Sequence, residues 1–272
     1  MADARPALPP LPELLAFVHR LCDVSARIVR KAQSGNVSVT HKDDATPVTE
    51  TDTRIEHALR KEIAKNFPDH GIVGEEYGST EGNSPYAWII DPIDGTLSFI
   101  TGRPNYGTLI CFSAYGTPHV GALNQPDLKR RWVGVTGGEA VCNGSLLRTS
   151  SVKDVDKAII ATTSPDYFSP EEFAAFSRVR SETKYAVYGG NCLDYAMLAQ
   201  GKIDLVVEAG LKPYDVAALM PIVSAAGGTI TDWSGRGINL SDTRINVIAA
   251  ANHVLHEKAM MALQDKATKA SL

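Results

Sequence analysis

The chain has 272 residues, of which 44% are hydrophobic and 21% charged, a composition typical of a globular protein with a large buried core. Its 27 basic and 31 acidic residues leave a net charge of -4, which argues against nucleic acid or a membrane surface as a partner. No apolar run approaches the roughly 20 residues of a transmembrane helix and no secretory signal opens the chain, so we expect a cytoplasmic protein.

The first half of the chain predicts a lobe of mixed helices and strands. Residues 1–10 are rich in alanine and proline, and we expect a disordered tail there. Apolar residues at helical spacing predict a helix over 11–31, and Asp52 is a candidate cap for a second helix that ends near Asn66. Turn residues then separate short apolar runs typical of strands, at 71–74, 86–90, 106–115, 119–123 and 131–135. Residues 11–150 are therefore assigned to an N-terminal α+β lobe.

The second half alternates strands with helices. Strands are predicted at 158–162, 185–188, 203–208, 230–232 and 247–250. Helices are predicted at 170–179, 192–200, 216–226 and 253–263. This alternation is typical of an α/β unit, and residues 151–272 form the second predicted lobe.

The most informative segment is 88–96, in which an apolar run stops at two aspartates. Asp91 and Asp94 lie three residues apart across a proline turn, and Gly95 and Thr96 follow where a helix would begin. Paired carboxylates suit Mg²⁺, which binds hard oxygen ligands and keeps waters that a phosphate can replace. Backbone N–H groups at the start of a helix suit the phosphate itself. The alternative interpretation is an ordinary turn with aspartate caps.

Two other acidic segments are candidates for the same site. Glu75 and Glu76 directly follow the predicted strand 71–74, although glutamates in such a place are commonly a solvated surface pair. Asp215 precedes an apolar, alanine-rich helix, where an aspartate is commonly an N-cap. Each segment alone is therefore ambiguous.

Taken together, these segments resemble the inositol monophosphatase superfamily of lithium-sensitive magnesium phosphatases. The residues that carry the resemblance are Gly74-Glu75-Glu76, Asp91-Pro92-Ile93-Asp94-Gly95-Thr96, Asp215-Val216-Ala217-Ala218 and Ala225-Ala226-Gly227-Gly228. The resemblance covers nearly the whole chain. It implies a layered α-β-α-β-α sandwich, an active site between the two lobes, and a homodimer.

The resemblance also implies a ligand set for two or three Mg²⁺ ions. Glu75, Asp91 and the backbone carbonyl of Ile93 would hold the first ion. Asp91, Asp94 and Asp215 would hold the second, so that Asp91 bridges the two, and a third ion would bind more weakly near Glu75. Four carboxylates carry a charge of about -4, which two Mg²⁺ ions would offset before a phosphate dianion enters.

Three catalytic residues follow from the resemblance: Glu75, Thr96 and Asp52. Asp52 would support Thr96, and this pair would orient the attacking water. The backbone N–H groups of Gly95 and Thr96 would bind phosphate oxygens. We expect direct attack by water, without a phosphorylated enzyme intermediate.

Residues outside these motifs resemble the histidinol-phosphate phosphatase branch. Glu208 lies seven residues before Asp215 and matches the substrate-contacting acid of the family, although a strand-end surface acid is the alternative. Asn191 stands where this branch often has aspartate, and its amide can still bind a polar group. Arg103 would contact substrate or a neighbouring subunit, or else pair with a loop carboxylate. The predicted substrate-binding residues are Ile93, Asp94, Gly95, Thr96, Arg103, Asn191, Glu208 and Asp215.

The sequence thus predicts a magnesium-dependent phosphatase that hydrolyses L-histidinol phosphate, a small-molecule phosphate ester. One alternative is an inositol-1-monophosphatase or a broad-specificity sugar-phosphate phosphatase with the same metals. The other is a noncatalytic binding or regulatory protein that keeps the fold.

Overall fold

The computed structural model describes residues 7–33, 39–41 and 47–264 of the chain. The α-helices in these ranges are α1 Leu11–Gln33, α2 Glu50–Asn66, α3 Thr96–Ile100, α4 Pro170–Glu182, α5 Cys192–Ala199, α6 Pro213–Val216, α7 Leu219–Ala225 and α8 His253–Gln264. The first ten strands are β1 Val39–His41, β2 Pro47–Thr49, β3 Gly71–Gly74, β4 Gly78–Thr80, β5 Tyr86–Asp94, β6 Gly107–Ala114, β7 Thr117–Gln125, β8 Arg130–Val135, β9 Ala140–Cys142 and β10 Ser145–Leu146. The remaining strands are β11 Ile159–Thr162, β12 Tyr185–Tyr188, β13 Leu205–Leu211, β14 Thr229–Asp232 and β15 Ile245–Ala250.

The strands form three sheets. β1 and β2 make an antiparallel hairpin. An eight-stranded sheet has the order β10-β9-β8-β7-β6-β5-β3-β4, and a five-stranded sheet has the order β12-β11-β13-β15-β14. In the larger sheet β3 runs parallel to β5, whereas β5 and β6 are antiparallel. The parallel pair brings the carboxyl ends of β3 and β5 to the same edge of the sheet.

Helices and sheets alternate in five layers. α1 and α2 cover one face of the eight-stranded sheet, where Ile55 packs in one core with Trp88. α5 and α7 lie between the two sheets, and Leu198 shares their core with Val206 of β13. α4 and α8 cover the outer face of the five-stranded sheet, with Phe176 in that core. The predicted α-β-α-β-α sandwich is therefore confirmed.

The central strand β5 is apolar on both faces because both faces are covered. Ile89 lies in the core beside α5 and α7, and the next residue, Ile90, lies in the core beside α1 and α2. Side chains alternate between faces along a strand, so a doubly covered strand reads as one continuous apolar run. Asp91 continues this strand and is only 1% exposed, which makes it an exceptional position for a carboxylate.

The predicted helix over 216–226 is instead two short helices, α6 and α7. Two glycines of the sheet let this segment approach closely. A side chain at Gly121 would overlap the carbonyl oxygen of Ala218, and a Cβ atom at Gly134 would lie 2.5 Å from the Cα atom of Ile222. The backbone of Ala218 and of α7 therefore packs directly on the sheet, and α6, which carries Asp215, immediately precedes this contact.

The start of α2 also differs from the prediction. Thr49, not Asp52, is the N-cap, and the helix begins at Glu50. Asp52 is the third helical residue, and its carboxylate accepts a 2.9 Å hydrogen bond from the Thr49 N–H. The two residues form a reciprocal capping box, a pattern that leaves the acid inside the helix rather than before it.

The eight-stranded sheet uses strands from 71–146 and the five-stranded sheet strands from 159–250. One hydrophobic core joins the two sheets, and the lobe boundary near residue 150 stays a prediction. Residues 1–6 of the predicted tail lie outside the described residues. Among the helices of the described ranges, none has the length and apolar character needed to cross a membrane.

Candidate active site

Two of the predicted acidic segments meet at the shared edge of β3 and β5. Glu75 directly follows β3, and its N–H donates a 3.3 Å hydrogen bond to the carbonyl of Ile90 in β5. Asp91 and Asp94 lie at the end of β5, where its pairing with β6 is interrupted between these two residues. In a regular strand, residues three apart point to opposite faces of the sheet. The irregular pairing here allows both aspartates to face the same site.

Asp215 completes the cluster from the other half of the chain. It lies in α6, and its Oδ2 accepts a 2.7 Å hydrogen bond from the Lys212 N–H. Carboxylate oxygens of Asp91, Asp94 and Asp215 all lie within 4.8 Å of one another. The structure thus brings together the three aspartates that the sequence assigned to one metal.

The electrostatics of this cluster favour a divalent cation. Burial, together with the charges of Glu75, Asp94 and Asp215, raises the pKa of Asp91 well above its usual value. Burial raises the pKa of Asp94 to about 6, and burial followed by the charge of Asp94 raises that of Asp215 well above normal. Like charges this close oppose one another's ionisation, and a bound cation would relieve that opposition.

An unpartnered oxygen supports the same conclusion. Oδ1 of Asp91 is buried and has no hydrogen-bond partner in the described part of the protein. A buried carboxylate oxygen without a partner is costly, and it is a natural ligand for a hard cation. The residues present therefore fit Mg²⁺, with Asp91 as the ligand at the centre.

Asp52 and Thr96 are also close to each other, as predicted. The Thr96 hydroxyl lies 3.4 Å from Oδ1 of Asp52 and 3.1 Å from the carbonyl of Ile93. Asp52 is fully buried, and burial raises its pKa to about 6. Thr96 lines the cavity described below, whereas Asp52 lies behind it.

A buried glutamate that the sequence did not predict holds the loop after β3. Glu56 of α2 is fully buried and accepts hydrogen bonds from the N–H groups of Glu76, at 2.7 Å, and Tyr77, at 3.1 Å. Its charge is balanced by Arg60, whose Nε donates at 2.8 Å. Glu56 therefore fixes the backbone that carries Glu75. A buried polar position on the apolar face of α2 was the signal in the sequence.

The two halves of the chain are joined at the Asp94 carboxylate. Its Oδ2 accepts a 2.6 Å hydrogen bond from the Cys192 N–H at the start of α5. Asn191, the N-cap of α5, donates from Nδ2 to the Asn105 carbonyl at 2.6 Å and to the Ser98 hydroxyl at 3.1 Å. Gly95 lies directly against the Asn191 amide, where a Cβ atom would come within 2.8 Å of Nδ2.

These groups surround a cavity of about 600 Å³ between the two halves of the chain. It is lined by Glu75, Asp94, Gly95, Thr96, Leu97, Thr163, Tyr167, Asn191, Glu208, Ala209, Gly210, Leu211, Lys212, Tyr214, Asp215 and Arg244. Acidic residues and the start of α3 lie at one end, and residues of β13 form another wall. This size suits a small metabolite.

Glu208 is a buried cavity residue, so the alternative of a surface acid is wrong. It is 2% exposed on β13. Its carboxylate accepts hydrogen bonds from the Thr163 N–H at 2.6 Å, the Thr163 hydroxyl at 2.8 Å and the Thr162 hydroxyl at 3.2 Å. Burial raises the pKa of Glu208 to about 8. A positively charged ligand would favour its ionised form.

Arg103 is not part of this cavity. It is exposed in the loop after α3, and it is absent from the residues that line the cavity in the described part of the chain.

Two other basic residues, Lys212 and Arg244, line the cavity, and neither was predicted as a site residue. Arg244 NH2 donates to both carboxylate oxygens of Glu172, at 2.8 and 2.9 Å. These pairings join residues 72 positions apart, so no local pattern predicts them.

Comparisons with known proteins identify the family of the chain. Residues 11–268 match the model of the inositol monophosphatase family. The bifunctional phosphatase IMPL2 of Arabidopsis thaliana, described as chloroplastic, is 42% identical over 262 residues, which are 93% of this chain and 76% of that protein. A histidinol-phosphatase of Chlorobaculum parvum is 34% identical over 74% of this chain and 78% of its own length. The solved structure of an inositol monophosphatase from Zymomonas mobilis, 39% identical, covers 95% of this chain and 100% of its own with a TM-score of 0.86.

Proposed function

The chain belongs to the inositol monophosphatase family of phosphatases, and from this premise we propose that it hydrolyses L-histidinol phosphate to L-histidinol and phosphate with the help of Mg²⁺. The observation that carries the phosphatase part is the convergence of Asp91, Asp94 and Asp215, with an unpartnered oxygen on Asp91. This donor set suits a hard divalent cation.

The proposed metal ligands are Glu75, Asp91, Asp94, Asp215 and the backbone carbonyl of Ile93. When bound, two Mg²⁺ ions would supply charge neutralisation, a lowered pKa of water and stabilisation of the leaving oxygen. The ligand residues lie on β5, on the loop after β3 and on α6, so the site exists only when both halves of the chain are folded.

The other proposed catalytic residues act on water and phosphate. The Thr96 hydroxyl, held between Asp52 and the Ile93 carbonyl, would orient the attacking water. The N–H groups of Gly95 and Thr96 would bind phosphate oxygens, because Gly95 has a φ of 83° at the start of α3 and turns the chain sharply there. We expect in-line attack by water without a phosphorylated enzyme.

The substrate part of the proposal depends on Glu208. Histidinol phosphate carries an amine and an imidazole. Its ammonium group would pair with the carboxylate of Glu208, whose ionisation is otherwise costly because the residue is buried. Asn191 lines the same cavity and would offer its amide oxygen as a second acceptor. The 34% identity to the histidinol-phosphatase of Chlorobaculum parvum supports this choice.

An inositol or sugar phosphate is the second candidate substrate. The structural similarity to the Zymomonas mobilis inositol monophosphatase favours it. A noncatalytic role is less well supported, because all four carboxylate ligands are present. The proposal also includes a homodimer and a cytoplasmic location. The boundary between the two lobes is proposed to lie near residue 150.

Phosphate release from histidinol phosphate tests the metal-dependent mechanism. We expect turnover with Mg²⁺, and at least a hundredfold lower turnover after EDTA treatment or in Asp94→Asn. This loss corresponds to an increase of about 3 kcal/mol in the activation free energy. Asp69→Asn, at an exposed aspartate, is the matched control and should match the wild type. Equal activity of Asp94→Asn and the control would overturn the proposed ligand set.

A further inference from the structure

We propose that a second pocket, separate from the candidate active site, binds a small anion that carries phosphate groups. This basic pocket lies between α1 and the strands β7, β8 and β9, and its volume is about 470 Å³. It is lined by His19, Arg30, Asn124, Gln125, Pro126, Lys129, Arg130, Arg131, Val133, Val141, Asn143 and Gly144, none of which lines the active-site cavity.

The lining of the basic pocket is positively charged, and only part of that charge is compensated within the described residues. Four of its residues are lysine or arginine, and none of the lining residues that the structure describes is acidic. Among these four cations, Arg131 alone has an ion pair with a residue of the described ranges, Asp23 at 2.6 Å. The side chains of Arg30, Lys129 and Arg130 form no hydrogen bond or ion pair within the described ranges, although the whole chain carries a net charge of -4. Three unpaired cations around one concavity repel one another, and an anion would stabilise them.

The walls of the pocket are held by specific hydrogen bonds. Lys129 has a φ of 51°, in the left-handed region that residues other than glycine and asparagine rarely adopt. Its carbonyl accepts a 2.9 Å hydrogen bond from Nδ2 of Asn143, whose Oδ1 accepts a 3.0 Å bond from the Arg131 N–H. Gln125 Oε1 accepts from the Leu128 N–H at 2.8 Å. The turn that presents Lys129 and its neighbour is therefore fixed, which lowers the entropy lost on binding.

The chemistry of these residues indicates phosphate. Arginine guanidinium groups bind phosphate oxygens through two parallel hydrogen bonds, and a lysine supplies a point charge. The cations line a concavity of about 470 Å³, a size that suits a small metabolite.

Calorimetric titration of the full-length chain with pyrophosphate in EDTA tests the proposal. EDTA removes the metals that would attract an anion to the acidic cluster of the active site, and the variants described below distinguish the two cavities. We expect one pyrophosphate per chain, with an affinity that falls as salt is added. The absence of saturable binding would overturn the proposal, because the pocket would then hold no phosphate-bearing anion.

Two pairs of charge reversals locate the binding. Lys129→Glu combined with Arg130→Glu should weaken pyrophosphate binding by about tenfold or more, because two attractions become repulsions. Lys61→Glu combined with Lys153→Glu changes the net charge equally at exposed positions outside the pocket and should stay within about twofold of the wild type. Equal losses in both would contradict the site.

Thermal unfolding and magnesium-dependent phosphatase activity check that each variant is folded. If the paired reversal at the β7–β8 turn does not fold, Arg30→Gln reports on the same pocket from α1, where the side chain is exposed. We expect that change to weaken pyrophosphate binding by about threefold. Unchanged binding in Arg30→Gln would count against the proposal.

Discussion

Asp91 shows how a single residue links stability to activity. Its carboxylate is buried, surrounded by acids, and has an oxygen without a partner in the described structure. Such a group destabilises the metal-free fold, and the proposed cation would offset that cost.

Asp91→Asn should therefore stabilise the metal-free protein while removing its activity. We expect a gain of about 1 kcal/mol in the free energy of unfolding in EDTA, because a buried charge repelled by its neighbours is lost. Denaturant unfolding with EDTA and with Mg²⁺ measures it, and Mg²⁺ should stabilise only the wild type. A variant less stable than the wild type in EDTA would contradict this account of Asp91.

Glu208 is the residue that should set the preference for a cationic substrate. We expect Glu208→Gln to raise the KM for histidinol phosphate by about tenfold to a hundredfold, because an ammonium group loses a buried charged partner. The KM for inositol-1-phosphate should change by less than about threefold, since a neutral polyol needs only hydrogen bonds. Steady-state kinetics of both substrates separate the two cases, and equal losses on both would indicate a structural role.

Glu208 also predicts a pH dependence of stability. Burial raises its folded pKa to about 8, above its value in the unfolded chain, so the fold is stabilised at low pH and loses this contribution as pH rises through about 8. In EDTA, the wild type should lose up to about 1.4 kcal/mol per pH unit relative to Glu208→Gln between about pH 5 and pH 8, and nothing further above pH 8, where the group is ionised in both states. Denaturant unfolding between about pH 5 and pH 9.5 measures this difference, and curves that stay parallel below pH 8 would contradict the shift.

At the residue scale, the sequence predicts ligands better than their supports. Asp91, Asp94 and Asp215 stand in motifs that are recognisable by their spacing. Glu56 and Arg244 act through partners 20 and 72 residues away, and such pairings follow only from the folded chain. Of the alternatives for Arg103, a substrate contact is wrong for this cavity, because the residue is exposed and does not line it.

At the scale of elements, the contact of the α6–α7 segment with the sheet should control the site. Gly121→Ala would force the added methyl group into the Ala218 backbone and displace α6 with Asp215. We expect a loss of about 2–3 kcal/mol in the free energy of unfolding.

We also expect kcat/KM of Gly121→Ala to fall at least tenfold, a rise of about 1.4 kcal/mol in barrier. Gly237→Ala is the matched control, because a Cβ atom there meets nothing within 4 Å. Normal activity in a correctly folded Gly121→Ala protein would show that α6 is not fixed by this contact.

Some elements match the predicted boundaries and others do not, and the contact of the α6–α7 segment with the sheet accounts for one of the differences. Strands with continuous apolar runs, such as β3 and β12, match the predicted 71–74 and 185–188. The predicted helix over 216–226 is broken where the Ala217-Ala218 backbone meets the sheet, which helical periodicity cannot reveal. The short strands β4, β9 and β10 were missed because two or three residues carry no measurable alternation.

At the scale of the whole molecule, the layered architecture places ligands from distant segments at one point. Strand periodicity predicted an α+β half and an α/β half, but only the resemblance of the motifs implied that they stack in five layers. The middle helices share one core with both sheets, so the acidic edge of β5 and the Glu208 wall of β13 face a common cavity. Burial in that cavity explains why the acids there have raised pKa values.

The most direct test of the central claim is the ratio of kcat/KM for L-histidinol phosphate to that for inositol-1-phosphate, measured with Mg²⁺ at one pH. The account predicts a ratio of at least about ten in favour of histidinol phosphate, or about 1.4 kcal/mol, and its loss in Glu208→Gln. A ratio below one would keep the metal-dependent mechanism and contradict the substrate assignment. No magnesium-dependent turnover of either ester would contradict the proposed enzyme.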